Sequence, residues 1–250
     1  MKHAASHRFL EKVALATLCA IAGLCSGIAT ADNDDEDKKI ASIHSTPGGQ
    51  TYGRWAANWW QWALGIPAAV NPLTDTSGEH CAQRQVDDVW FLAGSVSAIP
   101  VVRACQIPVG KSLFFPLINT FWGAFLNDPP ETRTEAYIRA AGSCSEPTEI
   151  SAWMDGHKVH KPTGYFTGPS RSESPFYNVQ LPPANLWGLD ETAAHELALS
   201  PSAEQGYYLF VRPLSRGFHT IRWVASGCMP EFAQDVTYHV TIFGTGRKSE

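Results

Sequence analysis

Large aromatic residues recur at helical spacing early in the chain. They are Tyr52, Trp55, Trp59 and Trp62. Their three- and four-residue intervals place them on one face of a helix over residues 52–64, and Gly65 and Pro67 then end it. An apolar stripe on one helical face is usually packed into a core, so we expect these rings to be buried. Trp60 lies on a different side of the same helix, which makes it the better candidate for contact with a ligand or partner.

Further along, short runs rich in Val, Ile and Phe are broken by Gly and Pro, and they predict strands. The predicted strands are residues 89–93, 101–107, 112–118, 176–181, 207–211, 218–224 and 236–243. Asp155-Gly156 predicts a hairpin turn between residues 150–154 and 158–161. A capping box at residues 132–135 predicts a short helix that ends near Ala141.

The last predicted strand shows the clearest alternation. Val236, Tyr238, Val240 and Ile242 alternate with polar residues, which indicates a sheet with one buried face. The five-residue link 213–217 predicts that strands 207–211 and 218–224 pair in antiparallel fashion. Many short strands and few helices predict a mainly β, antiparallel β-sandwich or jelly-roll-like fold, with the tryptophan-rich helix at its N-terminal end and one further short helix.

The first 31 residues have the layout of a secretory signal peptide. Lys2, Arg8 and Lys12 make the start basic. Residues 13–28 are uncharged and mostly apolar, and an alanine-x-alanine cleavage pattern ends at Ala31. The apolar run is short for a membrane span. We therefore expect a periplasmic or secreted protein, cleaved after Ala31, with no integral membrane span in its mature form.

The remaining chain divides into residues 32–50, an acidic disordered leader and turn, and residues 51–250, a single β-rich domain. The net charge of the whole chain is −5. Removing the basic start makes the mature chain more acidic still. This balance argues against nucleic acid or an anionic membrane as a partner.

Cysteine usage agrees with export. Four cysteines follow the signal peptide, and an even number in an oxidising compartment predicts two disulfides with three possible pairings. They are Cys81, Cys105, Cys144 and Cys228. Because Cys81 and Cys105 flank the strand at 89–93 at a distance that a hairpin can close, we pair them, which leaves Cys144 for Cys228. No Cys/His cluster has zinc spacing, so we expect neither a metal nor a cofactor.

Several motifs resemble those of a group of uncharacterised exported bacterial proteins. They are Trp55-x3-Trp59-Trp60-x-Trp62, Asn71-Pro72-x2-Asp75-x2-Gly78-x2-Cys81, Val89-Trp-Phe-Leu-Ala-Gly94, Arg103-x-Cys105, Gly110-Lys111 to Asn119, Pro213-Leu214-x2-Gly217-x-His219-Thr220-Ile221 and Asp235-Val-Thr-Tyr238. The resemblance covers most of the mature chain. It implies an exported β-rich domain and no particular activity.

Polar residues supply further candidates. Asp75, Ser77, Glu79 and His80 form a polar cluster before Cys81. Oxygen atoms of this cluster are candidate calcium ligands, but a turn in which Asp75 and Ser77 bond their own backbone is favoured. Three polar residues lie in or beside apolar strands and need partners there. They are Arg103, Lys111 and Asn119. Lys111 with an acidic partner such as Asp75 is either an acid–base pair or an ion pair that holds the loop to the sheet, and the structural role is favoured.

Three functions remain open. The first is a non-catalytic binding or surface-associated protein for a carbohydrate or a small apolar ligand; the others are a polysaccharide hydrolase or lyase and a structural envelope protein. A groove lined by Trp60, Trp122 or Trp187 decides among them. Paired carboxylates in it favour an enzyme, aromatic rings alone favour a binder, and the lack of a groove favours a structural role.

Overall fold

The computed structural model describes residues 38–85, 87–159, 171–190, 196–229 and 232–244. The predicted signal peptide, the start of the acidic leader and residues 160–161 of the predicted hairpin lie outside them. All the described residues fall within one compact unit that spans residues 32–250. No helix among them is both long and apolar enough to cross a membrane.

Two α-helices are present in the described chain. Helix α1 spans Tyr52–Leu64, the predicted range, and the side chain of Thr51 caps it by accepting from the Arg54 amide. Helix α2 spans Glu135–Ala141. The helix start predicted from the capping box at residues 132–135 is wrong. Residues 130–133 form a separate 3-10 turn, and Thr134 caps α2.

Ten strands form two sheets in the part that the structure describes. They are β1 (Val89–Phe91), β2 (Val101–Pro108), β3 (Ser112–Phe125), β4 (Glu149–Met154), β5 (His157–Lys158), β6 (Ser172–Glu173), β7 (Tyr177–Gln180), β8 (Ala198–Val211), β9 (Gly217–Ser226) and β10 (Ala233–Phe243). The first sheet has the order β1-β3-β8-β6, with β7 also pairing with β8. The second has the order β2-β10-β9-β4-β5. The predicted mainly β, sandwich-like fold is confirmed.

Strand pairing departs from the sequence prediction in two ways. The pairs β1–β3 and β2–β10 are parallel, and the others are antiparallel. The predicted pairing across the link 213–217 is wrong, since β8 belongs to the first sheet and β9 to the second. The link therefore crosses from one layer to the other.

The first sheet is the middle of three layers. Helix α1 packs on one face of it, where Phe114 contacts Tyr52. On the other face Phe115 stacks on Trp223 of β9, with ring centres 4.9 Å apart. This explains why β3 and β8 are buried almost continuously, while β2 and β10 alternate as the sequence predicts for a sheet with one buried face.

Both predicted disulfides are present, Cys81–Cys105 and Cys144–Cys228. The hairpin argument for the first pair is wrong, because β1 and β2 belong to different sheets. The bond instead ties the polar loop before β1 to the second sheet. The first sheet also begins earlier than expected. Ile40, in the segment assigned to leader and turn, bridges to Val211 of β8.

Candidate functional site

A cavity of about 260 Å³ lies beside β3. It exists because β1 pairs with β3 only up to Phe114, after which the chain turns away from the sheet. From Pro116 to Phe121 this side of β3 has no strand neighbour among the described residues. Helix α1 covers the gap from one side, and the start of β10 closes it from another.

The walls of the cavity are mainly apolar, and five of the sixteen lining residues are aromatic. Trp60 packs between Trp59 and Phe121, with ring centres 5.0 Å and 4.9 Å away, and Phe121 stacks on Trp187 at 6.5 Å. The indole N–H of Trp60 is buried and bonds to no described residue, so ring packing alone holds this side chain. The remaining apolar lining is Leu64, Leu73, Val96, Pro116, Leu186, Met229 and Phe232.

A loop built around Asn185 presents Trp187. The Asn185 side chain is buried and accepts from the amides of Trp187 and Leu189, while its Nδ2 donates to the Leu189 carbonyl. These bonds fix the loop without a strand. Trp187, Val96 and Met229 all line the cavity and are 47%, 62% and 40% exposed. Together they form an exposed apolar patch at the opening of the cavity.

Most polar groups of the cavity are already occupied. Gln234 donates to the Leu117 carbonyl (2.6 Å) and accepts from the Ser95 amide (3.0 Å), which satisfies two backbone groups where β1 leaves the sheet. The hydroxyl of Thr120 donates to the Gly142 carbonyl. None of the described lining residues carries a carboxylate.

Asn119 connects the cavity to a buried acid. Its Nδ2 donates to the Tyr208 hydroxyl at 2.9 Å, and that hydroxyl donates to Oε2 of Glu204. Burial raises the pKa of Glu204 well above its usual range, despite the hydrogen bond from Tyr208 and the charge of Arg139. The second oxygen, Oε1, is buried without a partner in the described chain. One N–H of Nδ2 is thus engaged, and the second N–H and Oδ1 have no partner among the described residues.

The structure brings together three of the residues predicted for the site, Trp60, Trp187 and Asn119. Trp60 is not the exposed residue that its helical position suggests, because Phe121 and Trp59 cover much of it. Trp122 lies away from this cavity, 43% exposed and edge-on to Tyr137 of α2.

Asp75, Glu79 and His80 form the turn that the sequence favours. Asp75 accepts from the amides of Ser77 (2.8 Å), Gly78 (3.1 Å) and His80 (2.9 Å), and Glu79 is exposed. Partial burial raises the pKa of Asp75, but these amides outweigh it and hold the pKa below its ordinary value. The carboxylate thus acts as a brace for its own loop.

Arg103 is buried and structural. Its guanidinium donates to the carbonyls of Asp75 (2.7 Å), Ala93 (2.7 Å) and Gly94 (2.9 Å) and to the Tyr238 hydroxyl (2.9 Å). The predicted pairing of Lys111 with Asp75 is wrong. Lys111 donates to the Asp87 carbonyl and lies 3.7 Å from the Asp88 carboxylate, because the turn before β3 faces the turn before β1.

Sequence reasoning missed a Ser–His–Asp contact at the link between β8 and β9. His219 Nδ1 lies 2.7 Å from Asp155 Oδ2, and its Nε2 lies 3.4 Å from the Ser215 hydroxyl. However, Nε2 is closer, at 2.9 Å, to the Ser215 carbonyl oxygen. The nearest group to Nε2 is therefore a backbone carbonyl, and the Ser215 hydroxyl lies at the long limit of a hydrogen bond. His219 thus connects the turn at Asp155 to the link 213–217.

Comparison with known proteins gives no relative for this chain. No protein family matches it, and no curated protein does. Among solved structures, a cysteine protease inhibitor from Entamoeba histolytica aligns with 56% of this chain and 86% of its own, at 16% sequence identity and a TM-score of 0.18.

Proposed function

We propose that this chain is an exported, non-catalytic binding protein that holds a small aromatic compound in the cavity beside β3. The proposal rests on the residues that line this cavity. Five aromatic side chains line the space, no described lining residue has a carboxylate, and the polar groups are largely bonded to the protein. The two disulfides and the signal-like start of the chain support export.

The volume of the cavity limits the size of the ligand. An apolar cavity of about 150 Å³ takes up benzene, and drug-sized ligands occupy about 300–1,000 Å³. The cavity here, about 260 Å³, lies between these values and suits one ring or two fused rings. The free Oδ1 of Asn119 adds a preference for a ligand with one hydrogen-bond donor.

Titration calorimetry with indole and with benzofuran tests this proposal. The two compounds have the same shape, but only indole has an N–H to donate to Asn119. We expect indole to bind, and to bind about three- to tenfold more tightly than benzofuran, since one net hydrogen bond separates them.

Two exposed tryptophans provide a matched pair of variants. Trp187→Ala removes a wall of the cavity and should weaken indole binding about tenfold or more, since an aromatic contact and its buried area are lost. Trp122→Ala should leave binding unchanged, although Trp122 is equally exposed. Absence of binding, or equal losses in both variants, would contradict the proposal and favour a structural role.

A further inference from the structure

A second, more polar cleft lies on another face of α1. Its volume is about 440 Å³, within the range of small-molecule sites. Helix α1 presents Asn58, Gln61 and Trp62 to this cleft, whereas it presents Trp60 and Leu64 to the cavity beside β3. The two sites therefore share a helix but no lining residue.

The floor of the cleft is aromatic and fixed in place. The indole N–H groups of Trp55 and Trp62 donate inward to the carbonyls of Pro47 (2.7 Å) and Gln83 (2.8 Å). Phe91 packs against Trp62 with ring centres 5.5 Å apart. Because these rings are held by hydrogen bonds and by one another, the floor exists before any ligand arrives.

The rim consists of planar polar groups that each use only part of their bonding capacity. Asn58 Nδ2 donates to Gln50 Oε1 (3.2 Å), Gln61 Nε2 donates to the Asn178 carbonyl (2.7 Å), and Arg84 Nη1 donates to the Gly65 carbonyl. Each bond orients a side chain, and the other end of that side chain has no partner among the described residues. The free ends are two amide oxygens, the amide N–H groups of Gln50 and the second amino group of Arg84.

The rim therefore mixes donors with acceptors. Asp87 adds a carboxylate with no described partner, and it offsets the charge of Arg84. A bound anion would require donors only, and a metal ion would require acceptors only. Hydroxyl groups both donate and accept, so a polyhydroxylated, uncharged ligand matches this rim, and its C–H face matches an aromatic floor.

We propose that this cleft binds a neutral oligosaccharide, independently of the aromatic ligand in the cavity. The test uses protein expressed from the full sequence. It is applied to an array of purified neutral and anionic oligosaccharides, and calorimetry follows with the neutral saccharide that binds best. We expect binding of neutral saccharides, and unchanged binding in Trp187→Ala, whose site is the other cavity.

Matched variants locate the binding. Asn58→Ala and Asp87→Ala should each weaken it about tenfold through the loss of a hydrogen bond. The control for Asn58→Ala is Asn127→Ala, at an exposed asparagine. The control for Asp87→Ala is Asp88→Ala, at a carboxylate outside the cleft that is 97% exposed. Both control variants should bind the saccharide as the unmodified protein does. Thermal unfolding should show that all four variants are folded, with small losses for Asn58→Ala, which loses its bond to Gln50, and for Asp87→Ala, at a residue with φ of 57°.

Three results would overturn the assignment. They are binding of anionic saccharides only, equal binding by the cleft variants and their controls, and no binding tighter than about 10 mM. Each can occur whether or not indole binds in the cavity beside β3, so failure of one proposal is distinguishable from failure of the other.

Discussion

Glu204 is a buried carboxylic acid. It is 1% exposed, its Oε1 has no partner among the described residues, and burial raises its pKa well above the usual range. Such a group stays protonated to a higher pH in the folded chain than in the unfolded chain. The Tyr208 hydroxyl connects Glu204 to Asn119, so hydrogen bonds link the protonation of Glu204 to the polar end of the cavity.

Stability should therefore fall as pH rises. The folded state holds the Glu204 proton more tightly, so the contribution of this group is complete below the unfolded pKa of about 4.3 and is lost as pH rises toward the folded value. The slope reaches about 1.4 kcal/mol per pH unit for one proton. Urea unfolding between about pH 4 and pH 8 measures it.

Glu204→Gln should remove that slope, because an amide of the same shape does not titrate. Glu131→Gln, at an exposed carboxylate, should keep it. If the protein and Glu204→Gln lose stability in parallel across this range, another group is responsible and Glu204 is ionised in the folded state.

At the scale of the element, helix α1 is the part of the fold that the sequence predicts best. Its aromatic spacing is unambiguous, and both bounds match. The predicted strands are correct in place, but six of them are too short, and those at 89–93 and 176–181 are too long. Strand β8 extends back to Ala198, yet its first half carries serines, Pro201, Glu204 and Gln205, which hide the apolar pattern. The loop that presents Trp187 depends on Asn185, a residue type too common in turns to be recognised beforehand.

The tryptophans of α1 should differ in their contribution to stability. Trp59 is 1% exposed and donates to the Leu92 carbonyl at 2.9 Å, so Trp59→Ala should cost about 3–5 kcal/mol of unfolding free energy. Trp60 is partly buried, so the small loss expected for an exposed ring no longer applies, and Trp60→Ala should cost about 1–3 kcal/mol.

Chemical denaturation of both variants, with Trp122→Ala as the control, supplies the comparison. Trp122 is exposed and should cost about 0.5 kcal/mol or less. If Trp60→Ala lowers the unfolding free energy more than Trp59→Ala does, contacts in the cavity stabilise the helix more than the contact between Trp59 and Leu92. That result would contradict the expected order.

At the scale of the whole molecule, the arrangement of the layers is what the sequence did not reveal. Parallel pairing of β2 with β10 joins segments far apart in the chain, and no local pattern specifies it. The short link 213–217 predicts a hairpin on length alone, but β8 is buried on both faces and its partners are β3, β6 and β7. The cavity results from this strand arrangement, because it lies where β1 stops pairing with β3 in the middle sheet.

The central claim is that the cavity beside β3 is a ligand site, and the indole N–H resonances of the nine tryptophans test it most directly. Indole is added during two-dimensional NMR of the labelled protein. We expect the Trp60 and Trp187 signals to shift, while those of Trp122 and Trp153 remain in place. Shifts confined to Trp55 and Trp62, or no shift at any tryptophan, would contradict it.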